Sequence, residues 1–346
     1  MPRKVSIQMI ADQLGLSKYA VSRALSGKSG VSQATRERVL EFAKTLGYGL
    51  PSQKSPSPAP DAASSFVLIC MNPSNRVDPF YWQRVLEGII SGCSERGWPH
   101  VIVSQPVSFP AVSDLSPQEI IAPHLDWNSC LGLIVMGAYP YAALQLMART
   151  GKPLVLLDHN EPLLDVDSVN HANIEAGILI AHHLLVAQKC RSLIFLGDDG
   201  RSASFAERRI GVRTAMERYG GPDTKLQEWE LAYEEKEWLA AAAERFAQLA
   251  PEQRPDAWIC ANDDIAMQWM QQLQRMGVAI PEETRVSGID NVEAAAHTSP
   301  RLTTVNLSKE ALGSRAIEAL SRRLERPGTP MERLHLSATL IPRDSA

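Results

Sequence analysis

Short apolar runs of strand-forming residues alternate with amphipathic segments through most of this 346-residue chain. Because the runs are apolar throughout, each predicts a strand with both faces buried. The segments between them have the 3.6-residue hydrophobic period of helices. This alternation is typical of doubly wound parallel sheets. The predicted strands are FVLICM (66–71), HVIVSQ (100–105), LGLIVMG (131–137), PLVLLD (153–158), SLIFLG (192–197), AWICAN (257–262) and RVSGID (285–290).

The strand-and-helix region, 66–346, is too long for one comfortable sheet, so it predicts two lobes with a cleft between them. We expect lobe 1 at about 66–165 and 296–326, and lobe 2 at about 166–295 and 327–346. A cleft between two lobes is a common place for a small molecule to bind.

A segment rich in proline and serine, PSQKSPSPAPDAASS, separates this region from the first 50 residues. It has no hydrophobic period, and its prolines fix φ and remove backbone donors. The segment therefore predicts an extended linker at 51–65 between a domain at 1–50 and a second at 66–346.

The charge of the chain is unevenly divided. Residues 1–50 contain eight Lys and Arg against three Asp and Glu, a net charge of +5, whereas the whole chain has −4. The remainder must then have a net charge of −9. A small basic domain on an acidic body is expected when that domain alone meets phosphate.

Residues 1–50 have the pattern of three short helices. Ser6 is placed to cap a first helix that ends at Gly15, Ser17 to cap a second that runs through Leu25, and Ser32 to open a third. The first two, joined by a short turn that contains glycine, predict a helix-turn-helix. The apolar positions that would enclose its small core include Ile7, Ile10, Ala11, Leu14, Val21, Leu25, Val39, Phe42, Ala43 and Leu46.

The second predicted helix presents Lys18, Tyr19, Ser22 and Arg23 outward near its N-terminal end. In helix-turn-helix proteins this part of the helix reaches base edges in the major groove of DNA. Arg23 has the donors to read guanine, and Lys18 and Tyr19 are adaptable readers. On these residues alone, a three-helix module that binds another protein is the alternative.

Polar side chains follow two of the predicted strands in the acidic body. Asn262 and Asp290 each lie at the carboxyl end of an apolar run, which is where open α/β sheets bind ligands. An amide and a carboxylate there would hydrogen-bond a polyol, while Phe80, Tyr81 or Trp229 would stack on its apolar face. The pattern predicts a polar small molecule as the ligand.

Several other classes of protein fit this sequence poorly. Its five cysteines are isolated, without a Cys-x-x-Cys pair, which argues against a disulfide framework and a zinc ribbon. No apolar run is long enough to span a bilayer or to form a signal-peptide core, so we expect a cytoplasmic protein with no membrane partner. We expect no metal and no cofactor. A cleft enzyme is the rival from another class, but no catalytic motif supports one.

The run from Val5 to Tyr48 resembles throughout the DNA-binding domain of the LacI/GalR family of bacterial transcription regulators, most tellingly in IADQLGLS, AVSRALSG, VSQATRERV and LGY. The resemblance implies that Lys18, Tyr19 and Arg23 occupy base-reading positions. It implies that Ser17, Ser22 and Ser32 are phosphate contacts or helix caps. We expect Ser6 to be a DNA-binding residue as well.

The acidic body is similar to the effector domain of the same family, which is periplasmic-binding-protein-like. The matching segments are VDPFYWQRVLEGI (77–89), LVLLDHN (154–160), FAERRIGVRTAM (205–216), AWICANDDIAM (257–267) and VSGIDNVEAAAHTSPRLTTV (286–305). LVLLDHN matches the family's strand that enters the second lobe. The implied ligand-binding residues are Asp78, Phe80, Tyr81, Asn173, Ser204, Arg208, Asn262 and Asp290.

Three departures from the family stand out. Ala172 precedes Asn173 where the family usually has aspartate, Asp78 replaces an asparagine, and the linker lacks the leucine of the usual hinge helix. Asp78 would restore an acceptor from the opposite lobe. Without a wedging leucine we expect little DNA bending between half-sites.

The expected architecture is a small all-α helix-turn-helix domain followed by a two-lobed α/β body with doubly wound parallel sheets. The expected function is a repressor that binds a pseudo-palindromic double-stranded DNA operator as a homodimer and responds to a small-molecule effector, a sugar before a nucleobase or another metabolite. The alternatives are a degenerate regulator without operator affinity and a cleft enzyme.

Overall fold

The computed structural model describes residues 7–25, 31, 32, 35, 38, 39, 42, 43, 65–72, 79–104, 115–197, 202–230 and 237–346. The chain divides into two compact units, Met1–Ser64 and Ser65–Ala346. Three of the predicted site residues lie outside the described part of the chain: Ser6, Asp78 and the side chain of Phe80. Nearly all of the proline-rich linker, from which little DNA bending was predicted, lies outside it too.

The first unit contains the predicted helix-turn-helix. Helix α1 is Ile7–Leu14 and helix α2 is Lys18–Leu25, and the turn between them contains Gly15 at a φ of +65°. A third stretch is helical where it is described. The core of the three helices is formed by the buried side chains of Ile10, Ala11, Val21, Ala24, Val39 and Ala43, which confirms the predicted core in the described part of this unit.

The second unit is built from strands and helices that alternate along the chain. In chain order the strands are β1 (Phe66–Met71), β2 (His100–Ser104), β3 (Cys130–Met136), β4 (Leu154–Leu157), β5 (Asp167–His171), β6 (Ser192–Leu196), β7 (Lys225–Trp229), β8 (Ala257–Cys260), β9 (Arg285–Ser287), β10 (Thr304–Asn306), β11 (Arg333–Leu336) and β12 (Thr339–Ile341). The helices are α3 (Pro79–Glu95), α4 (Pro117–Ile121), α5 (Tyr141–Ala148), α6 (Asn173–His182), α7 (Ala203–Tyr219), α8 (Trp238–Ala247), α9 (Asp263–Arg275) and α10 (Lys309–Glu325). A π-helical turn at His183–Ala187 continues α6, and short 3-10 turns lie at Pro251–Gln253 and Glu293–Ala296.

These strands form two parallel sheets, as predicted. The first has the order β11-β5-β4-β3-β1-β2 and the second has the order β7-β6-β8-β9. Strands β10 and β12 form a separate antiparallel pair. Every strand predicted from an apolar run is present. The prediction that both faces are buried is wrong for β2, which lies at the edge of its sheet and leaves Ile102 42% exposed.

The predicted lobe boundaries are wrong in three places. Strand β5 was assigned to lobe 2 but pairs with β4 in the first sheet, and β11 pairs with β5 there. Conversely, Leu302 and Val305 were assigned to lobe 1 but belong to the hydrophobic core of the second sheet. The resemblance also placed LVLLDHN at the entry to the second lobe, whereas β4 lies between β3 and β5.

A buried ion pair explains why a strand as polar as β5 lies inside the first sheet. Arg323, in the last turn of α10, donates from Nε to Oδ2 of Asp167 at 2.8 Å and from Nη2 to Oδ1 at 2.9 Å. Their side chains are 7% and 1% exposed. Arg323 also donates to the carbonyl oxygens of Thr329 and Pro330, in the loop before β11.

We expect Arg323→Met to destabilise the protein by about 3 to 5 kcal/mol, because it leaves the buried carboxylate of Asp167 without its charge partner. Thermal unfolding of the full chain measures this. The matched control is Arg301→Met, which breaks a bidentate pair with Asp344 whose side chains are 59% and 49% exposed. Equal losses of Tm in the two variants would contradict a structural role for burial of the Arg323 pair.

Candidate functional site

Buried polar side chains meet where the carboxyl ends of the two sheets approach each other. From the first sheet come Asp158, which follows β4, and His171, which ends β5. From the second come Asn262, which follows β8, and Asp290, which lies three residues after β9. His171, Asn262 and Asp290 are 0%, 4% and 3% exposed. The edge predicted to bind a ligand is therefore lined by groups that form hydrogen bonds.

Arg208 is the centre of this cluster. Its guanidinium donates from Nη2 to Oδ1 of Asp290 at 2.9 Å, from Nε to Oδ1 of Asn173 at 3.1 Å and from Nη1 to the carbonyl oxygen of Ala261 at 2.6 Å. The side chains of Arg208 and Asp290 are each 4% exposed. A buried ion pair is stable only when its remaining donors are satisfied, and here the acceptors of the Arg208 donors come from three chain segments.

Close packing of α6 against α7 places Asn173 beside Arg208. A Cβ on Gly177 would lie 2.1 Å from the carbonyl oxygen of Arg208, and one on Gly211 would lie 2.1 Å from that of Ile174. No larger residue fits either position without moving a helix backbone. The two glycines therefore set the distance over which the side chain of Asn173 reaches Arg208.

The loop that carries Asp290 is held in an unusual conformation. Asp290 has a φ of 128° and Asn291 a φ of 53°. Residues other than glycine rarely adopt such backbone angles. Lys309, the first residue of α10, donates to the carbonyl oxygens of Asp290 and Leu307. The backbone N–H of Asp290 donates to the carbonyl oxygen of Val305 at 2.9 Å. The surrounding structure thus fixes the loop.

Asp263 secures the same loop from the other side. Its Oδ2 accepts the backbone N–H of Val292 at 2.9 Å, and its Oδ1 accepts the hydroxyl of Thr304 at 2.5 Å. Burial, and then the charge of Asp290, raise the pKa of Asp263 to about 7. Burial also raises the pKa of Asp290, while the charges of Arg208 and Lys309 act in the opposite direction.

Tyr81 and Asp158 bring the first sheet to the cluster. Tyr81 is 5% exposed, and its hydroxyl faces the carboxyl of Asp158. Burial raises the pKa of both groups. The Tyr81 ring lies edge-on to the ring of His171, with centroids 6.2 Å apart. An aromatic ring, a carboxyl group and an imidazole thus adjoin the Arg208 network.

The structure brings together most of the predicted ligand-binding residues that it describes. Asn173, Arg208 and Asp290 share one hydrogen-bond network, and Tyr81 adjoins it. Asn262 is adjacent to Ala261 and caps α9 by accepting the N–H of Ile265 at 2.9 Å. Ser204 lies in the first turn of α7 and contacts Ser202 at 3.0 Å.

Trp229, which the sequence suggested as a stacking platform, lies in the core of the second sheet. It is 1% exposed, and its ring packs edge-on against Trp258 with a centroid distance of 5.1 Å. The guanidinium of Arg245 lies 4.2 Å from its ring centroid.

Sequence reasoning missed four residues of the cluster: Asp158, His171, Asp263 and Lys309. Asp158 directly follows an apolar run, so the strand-end rule that identified Asn262 applies to it equally. Asp263 follows Asn262 in the same way. His171 ends a strand whose sequence is polar, and Lys309 follows a crossover segment, so neither gave a signal.

The first unit presents the predicted DNA-contacting residues on α2. Lys18, Tyr19 and Ser22 are exposed, Tyr19 to 68%. The guanidinium of Arg23 lies 5.3 Å from the Tyr19 ring centroid and is hydrogen-bonded to its hydroxyl. Ser17 accepts the N–H of Ala20 at 3.1 Å, which confirms it as a helix cap.

Ser32 has the same kind of contact at the start of the third helical stretch. Its hydroxyl accepts the N–H of Thr35 at 3.2 Å, and the side chain is exposed. Ser32 is therefore also a cap, as predicted from the sequence. Its exposure leaves the side chain open to contact from outside the domain.

Comparisons with known proteins agree with this architecture. CelR in complex with cellobiose has a TM-score of 0.66, with 22% identity over 99% of this chain and 100% of that one. The lac repressor dimer bound to operator and the anti-inducer ONPF has a TM-score of 0.65, with 21% identity over 99% of each chain. At these identities the two structures show the fold.

Sequence comparisons add similarity to a repressor and to two domain families. The HTH-type transcriptional repressor PurR of Vibrio cholerae is 27% identical over 326 residues, which cover 92% of this chain and 91% of that protein. Residues 182–346 match the periplasmic binding protein-like domain. Residues 6–50 match the bacterial regulatory proteins of the lacI family. The chain therefore contains, in this order, a match to the lacI family of bacterial regulatory proteins and a periplasmic binding protein-like domain, and it is similar to a transcriptional repressor over most of its length.

Proposed function

We propose that this protein is a cytoplasmic, homodimeric transcriptional repressor whose affinity for its DNA operator is set by a small polar effector bound in the Arg208 cluster. One combination of features in this LacI-family chain supports the proposal. Helix α2 presents an exposed basic and aromatic face, and a buried hydrogen-bonding cluster lies at the carboxyl ends of two parallel sheets.

Base reading is assigned to Lys18, Tyr19 and Arg23. The contact between Arg23 and Tyr19, one helical turn apart, orients the guanidinium before DNA is bound, and an oriented arginine donates two hydrogen bonds to guanine. Ser6, Ser17, Ser22 and Ser32 are assigned to the DNA-binding surface, the last three as phosphate contacts or helix caps. Phosphate contacts fix the register, whereas base contacts provide the specificity.

The homodimer follows from the length of the recognition helix. Helix α2 has eight residues, and one such helix covers too few base pairs to select a site in a genome. Two copies related by a two-fold axis read a pseudo-palindrome. The similarity to the lac repressor dimer on its operator supports this arrangement.

For the effector we propose a sugar or a sugar derivative. The cluster offers carboxylates, an amide and a guanidinium, which are groups that hydrogen-bond hydroxyls. The similarity to CelR, which was solved with cellobiose, supports the same class. The residues assigned to the ligand are Asp78, Phe80, Tyr81, Asn173, Ser204, Arg208, Asn262 and Asp290.

Coupling between the two sites would arise because groups from both sheets touch the ligand. A ligand held by Tyr81 from the first sheet and by Asp290 from the second favours one relative placement of the sheets. That placement alters how two DNA-binding domains are spaced, so the ligand and the operator must change each other's affinity by the same factor.

Selection of genomic DNA fragments by the purified full-length protein, at low and at near-physiological salt, tests the proposal. We expect an inverted repeat to be enriched, with affinity that falls steeply as salt rises, because phosphate contacts release counterions. Enrichment of no sequence at either salt concentration, with or without added sugars, would contradict operator binding and favour the degenerate-regulator alternative.

Arg23→Ala should lose sequence preference at one position of each half-site by about 1 to 3 kcal/mol, because it removes a bidentate base contact. Competition binding with operators substituted at single positions measures this. The control is Arg38→Ala, which alters an exposed residue of the third helical stretch and should keep the preference. A uniform loss over all sequences in Arg23→Ala would make Arg23 a phosphate contact instead.

Asp290→Asn should weaken effector binding at least tenfold, about 1.4 kcal/mol. The variant keeps the shape of the side chain but removes the charge that faces Arg208, so it should also lower the Tm, because the buried guanidinium loses its charge partner. Operator binding with and without the effector measures the first effect, and thermal unfolding of the unliganded protein measures the second. Asp344→Asn is the control, since Asp344 lies in an exposed pair with Arg301. An unchanged effector response in Asp290→Asn would remove Asp290 from the site.

A further inference from the structure

One imidazole in the Arg208 cluster has no hydrogen-bond partner. His171, the last residue of β5, is 0% exposed, and among the described residues neither Nδ1 nor Nε2 has a partner. Another buried histidine of the chain is different. In His183, Nε2 lies 3.3 Å from the carbonyl oxygen of Ala346 and 3.4 Å from Nε2 of Gln188.

An unpaired buried imidazole is a cost to the folded protein. Burying a polar group without a hydrogen bond is unfavourable, and buried polar side chains are nearly always paired. No hydrogen bond of His171 within the described residues offsets that cost. A group retained at a cost in stability points to a partner that arrives from outside the chain.

The surroundings of His171 keep its ring uncharged. Burial, and then the positive charges of Arg208 and Lys309, lower the pKa of His171 to about 3. Because a lowered pKa favours the neutral form, the ring remains neutral throughout the physiological range. A neutral imidazole has one N–H donor and one nitrogen acceptor.

The neighbouring groups already have partners. Arg208 donates to Asp290, Asn173 and Ala261, and Lys309 donates to two backbone carbonyl oxygens. The hydroxyl of Tyr81, whose ring packs on His171, faces the carboxyl of Asp158. His171 is therefore the member of this cluster with unused hydrogen-bonding capacity on both sides of its ring.

We propose that His171 is an additional ligand-contacting residue that recognises hydroxyl groups of the effector and selects an uncharged polyol over its acidic counterpart. The inference rests on the proposed function of the same cluster. A hydroxyl both donates and accepts, so two hydroxyls pair with both ring nitrogens. A carboxylate or phosphate oxygen only accepts, so it would pair with the ring N–H and leave the acceptor nitrogen of the ring without a partner.

The first arm of the test needs no ligand. We expect His171→Leu to raise the Tm of the unliganded full-length protein by about 2 to 5 °C, because it removes an unpaired buried polar group. The matched control is His183→Leu, which removes a buried imidazole that has partners and should lower the Tm. A fall in His171→Leu as large as that in His183→Leu would overturn the proposal, since it would show that the ring has a structural partner.

The second arm measures Tm shifts with three matched pairs of probes: glucose and gluconate, ribose and ribose 5-phosphate, and cellobiose and cellobionate. We expect the wild type to respond to the neutral member of one pair. His171→Leu should respond at least tenfold more weakly to that sugar, and His171→Gln, which keeps a donor and an acceptor, should recover part of the response.

The outcomes of this arm separate the two proposals. A wild type that responds to a neutral sugar, with the same response in His171→Leu, overturns the role of His171 and leaves the proposed function intact. A preference for the acidic member also overturns the role of His171. A wild type that responds to none of the neutral sugars overturns both the sugar assignment and the hydroxyl-reading role.

Discussion

The buried ion pair between Arg208 and Asp290 is the interaction on which the arrangement of the second unit depends. A buried guanidinium is tolerated only when its charge and its donors are satisfied together. Its partners here come from the start of α6, the junction of β8 with α9, and the loop after β9. If one segment were displaced, a charge or a donor would remain unpaired in a medium of low dielectric. The pair therefore selects one relative placement of these three segments.

The sequence predicts the strands of this fold better than it predicts which sheet they join. Apolar runs identify β1 and β8 because burial on both faces demands them. Strand β5 has the sequence DSVNH and is buried along its whole length. Its polar groups are satisfied by Arg323 and by a hydrogen bond between Ser168 and Asn170. Such compensation is tertiary, so local hydrophobicity cannot show it.

The residues of the candidate site also differ in whether the sequence alone can identify them. The strand-end rule identifies Asn262 and Asp290 from the sequence because it depends only on where an apolar run stops. The positions of His171 and Lys309 depend on a strand without an apolar signal and on a crossover between the sheets. Their contacts are therefore visible only in the folded chain. The family resemblance adds Asn173 and Arg208, which the structure joins by a hydrogen bond.

Lys309 joins the two halves of the second unit at the point where a ligand would act. Its helix packs into the core of the first sheet through Leu312 and Ala316, while its ammonium group holds the carbonyl oxygen of Asp290 beside the second sheet. Asp290 is thus bound through its side chain by Arg208 and through its backbone by a helix of the other half. A ligand that paired with this carboxylate would compete with Arg208 for it, while Lys309 would still hold the backbone of the same residue. Under the proposed function, Asp290 would therefore link occupancy of the site to the relative placement of the two sheets.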